Sequence, residues 1–139
     1  MNINVGSPEL QNDLSFQNFL RDNPGRGTLK VRASSANAAV PVEGVRVIVS
    51  KKIGNNTIIF FNGSTDESGM INGISLPTPP AVSSDEVVPK FADYNMEAIY
   101  PPENMDKNYS ISICCSVSVI QYINITPEIS VEEDDLNGN

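Results

Sequence analysis

Apolar residues recurring at every second position constrain this chain more than any other feature. Leu29, Val31 and Ala33 alternate with Lys30 and Arg32. Val45, Val47 and Val49 alternate with Arg46, Ile48 and Ser50, and Tyr94, Met96, Ala98 and Tyr100 share one parity of the segment 91–100. Side chains on a strand point alternately to its two faces, so this spacing builds half-buried strands, whereas a helical face needs apolar residues three and four apart. Turn chemistry separates these runs. Pro41-Val42-Glu43-Gly44 precedes the valine-rich strand, and Gly54-Asn55-Asn56 makes a hairpin turn into Thr57-Ile58-Ile59-Phe60-Phe61. Asp66-Glu67-Ser68-Gly69 is a tight turn in which Asp bonds its own backbone and Gly supplies positive φ. A short strand with Ile74 and Leu76 on one face follows. Tyr109, Ile111 and Ile113 form the next strand, and 117–125 the last, with Ile123 and Ile125 together. Seven short strands with turns between them, over residues 27–127, make one all-β sandwich.

The flanks read differently. Residues 1–26 are a polar, Asn-rich arm with one short helix. Ser7 caps it, Pro8 takes its first position, Glu9 suits the positive end of its dipole, and Asn23-Pro24-Gly25 stops it. Phe16, Phe19 and Leu20 are the residues by which this arm docks on the body or on a partner, although Leu10 and Leu14 spread the apolar set too widely for a clean stripe. A Pro-rich stretch from Leu76 to Lys90 crosses the surface as a loop, and at that length loops often carry function. Residues 128–139 are an acidic tail, expected to be solvated and disordered. Glu128, Glu132, Glu133, Asp134 and Asp135 contribute −5 of the net −8.

Composition narrows the chemistry. There is no His in 139 residues, which removes the commonest general base, the commonest metal ligand and any Ser–His or Cys–His pair. Two neighbouring cysteines, Cys114 and Cys115, offer no tetrahedral zinc set. On a strand they would face opposite ways, which strains a bond between them, so they read as buried free thiols of a reducing compartment. The acidic balance argues against nucleic acid as a partner. No apolar run is long enough for membrane insertion, and the N-terminus shows no signal-peptide pattern. Asp66 and Glu67 suit calcium in principle, but without a ladder of spaced oxygen ligands they are turn residues. Asp85-Glu86 and Glu132-Glu133 are adjacent carboxylates that rarely converge on one bond, hence solvated charge. Four glycosylation sequons, at Asn55, Asn62, Asn108 and Asn124, are close to what 16 Asn and 20 Ser+Thr produce by chance. Tyr94, Met96 and Tyr100 are core residues by their alternation. The run Ile58–Phe61 has apolar residues of both parities, so it is either covered on both faces or is a contact surface. No catalytic, cofactor-binding or metal-binding residue is expected.

The segment Gly27–Ser50, the Thr65-Asp66-Glu67-Ser68-Gly69 turn, Leu76-Pro77 and the strand Tyr94–Tyr100 ending in Pro101 resemble carboxypeptidase-regulatory-like, or transthyretin-like, domains. That resemblance implies a seven-stranded antiparallel Greek-key β-sandwich of the transthyretin-like (prealbumin-like) kind with a short N-terminal helix. Phe19-Leu20-x-x-Asn23-Pro24-Gly25-x-Gly27-x-Leu29-Lys30-Val31, Leu76–Pro80, Ala92–Met96 and Ile120–Pro127 are similar to the N-terminal region of clostridial spore cortex-lytic, peptidoglycan-associated proteins. This similarity implies a protein partner or a cell-wall component as ligand. It also implies a place either in the cytoplasm of mother cell or forespore or at the spore or cell envelope. The usual acidic residue and Gly of the final hairpin are replaced by Cys115-Ser116, and the Pro-Gly-Tyr after the Tyr-rich strand by Pro101-Pro102-Glu103-Asn104. No lytic segment accompanies the sandwich, so hydrolysis does not carry over. Transthyretin-like hydrolases use His-containing sites, which this composition does not supply. Related pilin-type sandwiches form Lys–Asn isopeptide bonds, for which Lys30, Glu97 and Asn124 would be the trio, but each lies on the parity away from the core. The expectation is a non-catalytic interaction or scaffolding module. A carbohydrate-binding module and a small transthyretin-like enzyme are the alternatives.

Overall fold

The computed structural model describes residues 2–36, 38–81 and 90–126. Among the described residues nine strands and one α-helix follow in chain order: β1 (Asn2–Asn4), α1 (Leu14–Asp22), β2 (Gly25–Ser35), β3 (Val40–Pro41), β4 (Arg46–Ile53), β5 (Asn56–Ser64), β6 (Met70–Thr78), β7 (Ala92–Tyr100), β8 (Met105–Ile113) and β9 (Ser118–Asn124). The seven expected strands are all present; β1 and β3 are additional. The first sheet runs β1-β5-β4-β7-β8. In the second, β2 is central, with β6 and the short β3 antiparallel along one side and β9 along the other. The purely antiparallel expectation is corrected at two places, because β1 pairs with β5 and β9 with β2 in parallel. β9 follows β8 through a tight turn that crosses from one sheet to the other, so it arrives alongside β2 in β2's own direction.

The alternating residues meet between the sheets. Leu29, Val31, Ala33, Val45, Val47, Val49, Leu76, Met96, Ala98, Ile113 and Ile123 are all fully buried there. Each large side chain so covered contributes ~1.5–3 kcal/mol relative to exposure. Tyr94 and Met96 belong to this core and Tyr100 is partly buried against it. The turns are pinned as their residue types demand. The Asp66 carboxylate accepts from the N–H groups of Ser68 and Met70, both at 2.9 Å, and Gly69 takes φ +75°. Thr65 is buried, accepting from Val45 N–H at 3.0 Å and donating to the Val42 carbonyl at 2.8 Å.

The N-terminal segment holds two helical pieces rather than one. Ser7 and Pro8 start a 3₁₀ turn, Pro8–Asn12, and Asp13 then caps α1 by accepting from Phe16 N–H at 2.9 Å. This is why Leu10 and the residues after Leu14 do not share one helical wheel. Leu10 and Phe16, with Ile3 of β1, cover Ile53 and Ile58 in a small second core. Phe19 packs at the junction of both cores, whereas Leu14 and Leu20 remain exposed.

A bulge explains the run Ile58–Phe61. Val49 pairs with Phe61 and Ser50 with Ile59, leaving Phe60 as the extra residue of β5. The parity shifts there, so Ile58 faces the small core, Phe61 packs on the large one and Phe60 touches both. Ile58 is buried, and Ile59, Phe60 and Phe61 are half-buried.

Candidate interaction surfaces

Two surfaces outside the core have features that packing alone does not require. The first is a hollow of about 480 Å³ in the first sheet, where β4 and β7 part company. Their pairing ends at Ser50 and Asn95. Beyond that point the Lys51 side chain lies over the rings of Tyr94 and Phe19, with Nζ 5.3 and 5.8 Å from their centroids, and donates to the Asp93 carbonyl at 2.6 Å. Burial lowers the Lys51 pKa, and the nearby Asp93 charge works against that shift. Asp93 accepts from the Ser112 hydroxyl at 2.6 Å, and Asn95 donates to Asn108 at 3.0 Å. Hydroxyl, amide, ammonium and carboxylate groups line the hollow, with the Lys51 amine bonded to the Asp93 carbonyl and the Asp93 carboxylate to Ser112. The arrangement can hydrogen-bond a polar ligand.

The second surface is the outer face of the second sheet. Residues of one parity on β2 and β9 lie side by side there: Thr28 beside Ser118, Lys30 beside Ile120, Arg32 beside Tyr122. Ile120 is 47% exposed and Tyr122 57%. Arg26, Lys30 and Arg32 are the charged groups of this sheet, and none of its four strands contains an Asp or Glu. In a chain of net charge −8 this is a segregated basic and apolar face. An apolar depression of about 200 Å³ opens beside Tyr122, lined by Ser34, Ala38, Ile123 and Asn124. Ile120 and Tyr122 were not singled out in the sequence. The signal was present: they are large apolar residues on the outward parity of a strand whose inward parity already holds Val119 and Ile123.

The other residues weighed in the sequence do not converge. Lys30 and Asn124 lie on the outer face of the second sheet and Glu97 on the outer face of the first, with the core between them. Glu97 instead shares a hydrogen bond with Asp106, and that bond, some burial and the like charge raise its pKa. Asp66 is fully engaged in its turn. Cys114 and Cys115 are free, as expected, but sit half-buried in the turn between β8 and β9 rather than buried on a strand. The Cys115 thiol pKa is lowered, chiefly by the Ser116 hydroxyl at 3.6 Å and then by the Arg26 backbone. Among the described residues no group of three or more Cys, Asp or Glu is placed to hold a metal ion, and no helix is long and apolar enough to cross a membrane. Of the Pro-rich stretch, Leu76–Thr78 belong to β6, and residues 82–89, including Asp85-Glu86, lie outside the described residues. The acidic tail with Glu132-Glu133 lies outside them as well.

No family model matches the sequence, and no curated protein matches it. Solved structures do match in shape. The chain is similar to Klebsiella pneumoniae 5-hydroxyisourate hydrolase, with a TM-score of 0.50 and 17% identity over 74% of this chain and 92% of that one. It is similar to the Bacillus anthracis TIE protein with a TM-score of 0.50 and 16% identity over 74% of this chain, but only 17% of that longer one. The same architecture thus occurs as nearly a whole enzyme and as a small part of a long chain. Two sheets packed around the alternating core, with these likenesses, identify the fold as a transthyretin-like β-sandwich.

Proposed function

We propose that this chain is a non-catalytic interaction module that engages its partner through the outer face of the second sheet. The observation that carries the reading is the segregation of Arg26, Lys30 and Arg32 with exposed Ile120 and Tyr122 on a sheet without a single carboxylate. Exposed apolar side chains rimmed by like charge are a feature of recognition surfaces. The composition supports the non-catalytic part, since the chain brings no His to the chemistry. The setting proposed is the spore or cell envelope, following the resemblance of Phe19–Val31 and Ile120–Pro127 to peptidoglycan-associated proteins. A second reading, a module for wall carbohydrate, is favoured by the polar hollow around Asp93 and Asn95.

Two assays test this. Incubation with 5-hydroxyisourate is expected to show only the spontaneous rate; turnover by the purified protein would overturn the non-catalytic reading. Co-sedimentation with peptidoglycan sacculi, spore cortex included, separates the two ligands. Salt-resistant pelleting lost on Asn95→Ala supports the carbohydrate reading. Absence of pelleting supports a protein partner.

A further inference from the structure

We infer that the free edge of β9 receives an extended, acidic segment of a partner protein as an added strand. This rests on the interaction reading above and names its partner class. The parallel ladder between β2 and β9 is fixed at its ends by Thr28 N–H to the Val117 carbonyl, 2.9 Å, and Ile125 N–H to the Ser34 carbonyl, 2.8 Å. In that register the odd-numbered residues of β9 bond to β2, and the N–H and C=O groups of Ser118, Ile120, Tyr122 and Asn124 turn the other way. Among the described residues β9 pairs with no strand but β2. Of these outward groups, the Tyr122 carbonyl accepts from the Gln121 side chain at 3.0 Å, a bond an incoming strand can displace. Unpaired edges of this kind are templates for strand addition, and proteins usually guard them with a charge or a Pro on the edge strand itself. β9 has neither: its sequence is Ser-Val-Ile-Gln-Tyr-Ile-Asn.

Charge complementarity selects the occupant. An added strand would lie about 5 Å from β9 and about 10 Å from β2. Its outward side chains would flank Ile120 and Tyr122, within reach of the long side chains of Lys30 and Arg32. Acidic residues there meet two cations and no carboxylate on the sheet; Glu103 and Asp106 of the neighbouring segment come close at Asn124, the C-terminal end of β9. An apolar residue at the end of the segment has the depression beside Tyr122 and Ala38 to fill.

The probe is a fluorescein-labelled peptide of alternating Glu and Val, followed by anisotropy at low and high salt. The protein is expected to bind it, and more weakly as salt rises. Lys30→Glu with Arg32→Glu is expected to weaken binding by about tenfold or more and to flatten the salt dependence. Ile120→Pro removes one edge donor without touching the ladder to β2, so a similar loss is expected. The same peptide N-methylated at every residue keeps its side chains but cannot donate ladder bonds, and is expected not to bind. This arm decides the matter if the proline variant fails to fold. Equal binding of the methylated peptide, or no binding of the parent peptide, overturns the inference. So does a dimer in sedimentation equilibrium that Ile120→Pro dissociates, since the occupant would then be a second copy. The broader reading fails separately, by turnover of substrate in the preceding assay.

Discussion

Tyr94→Phe tests how the two sheets are tied together. Tyr94 stands on β7 in the first sheet and is buried, with its hydroxyl donating to the Pro77 carbonyl on β6 of the second. Its ring is packed edge-on against Phe60, with centroids 5.3 Å apart. Phenylalanine keeps that ring and its buried area, so the substitution isolates the hydroxyl. A neutral hydrogen bond contributes about 1 kcal/mol net, and a buried carbonyl deprived of its donor costs somewhat more, giving an expected loss of ~1–2 kcal/mol. For a domain of this size that lowers Tm by roughly 3–10 °C. Urea unfolding should show a lower midpoint at unchanged slope. The loss should also depend on pH. Burial raises the Tyr94 pKa, with the Arg26 charge pulling weakly the other way. A raised folded-state value means the contribution is complete below the ordinary phenol pKa and disappears as pH rises toward the folded-state one. The gap between wild type and Tyr94→Phe should therefore narrow in alkali, and the variant should lack the last step of the tyrosine absorbance titration. A gap below about 0.3 kcal/mol at neutral pH, or a changed slope, would refute the assignment of this hydroxyl as an inter-sheet tie.

Three further substitutions probe other contacts. Asp13 both caps α1 and accepts from the Asn56 side chain at 3.1 Å. Asp13→Ala should cost ~1–2 kcal/mol in thermal unfolding, and Asp13→Ser, which can still cap, should recover most of it. Gly69→Ala places a Cβ 2.4 Å from the Ala33 carbonyl at φ +75°, so a loss of ~2 kcal/mol or more is expected in urea unfolding, and a neutral result would deny the tightness of that turn. Because the Glu97 pKa is raised by its hydrogen bond with Asp106, by burial and by like charge, wild-type stability should fall as pH rises through the raised value. Glu97→Gln should remove that slope and stabilise the neutral-pH protein by ~0.5 kcal/mol or less, given the solvent screening of a mostly exposed pair. Unfolding midpoints measured across the acidic range decide it.

The period-2 spacing made the sandwich readable because burial on one face leaves a mark at each inward position. Val45, Val47 and Val49, or Tyr94, Met96 and Ala98, carry that mark plainly. β1 does not: Asn-Ile-Asn has one apolar residue, and its pairing with β5 comes from the packing of Ile3, Leu10 and Phe16 on Ile58. β3 has only two residues. The direction of β9 was equally invisible, since alternation is the same whichever way a strand runs. The bulge at Phe60 shifts the register so that Ile58 and Phe61, of opposite parity, both meet a core. For the candidate surface, the apolar residues were legible, but their neighbours were not. Lys30 and Arg32 lie far in sequence from Ile120 and Tyr122, and only the parallel register brings them together.

That register also governs when the molecule can finish folding. Thr28 pairs with Ser118, about ninety residues along the chain, while the β4–β5 and β7–β8 ladders close locally through short connections. The first sheet can assemble its hairpins early, but the central strand of the second has a bare flank until β9 is synthesised and released. The barrier then lies in closing one long loop, and slow, single-step folding follows rather than growth strand by strand. Until that closure, the flank of β2 opposite β6 and β3 stays open to other chains.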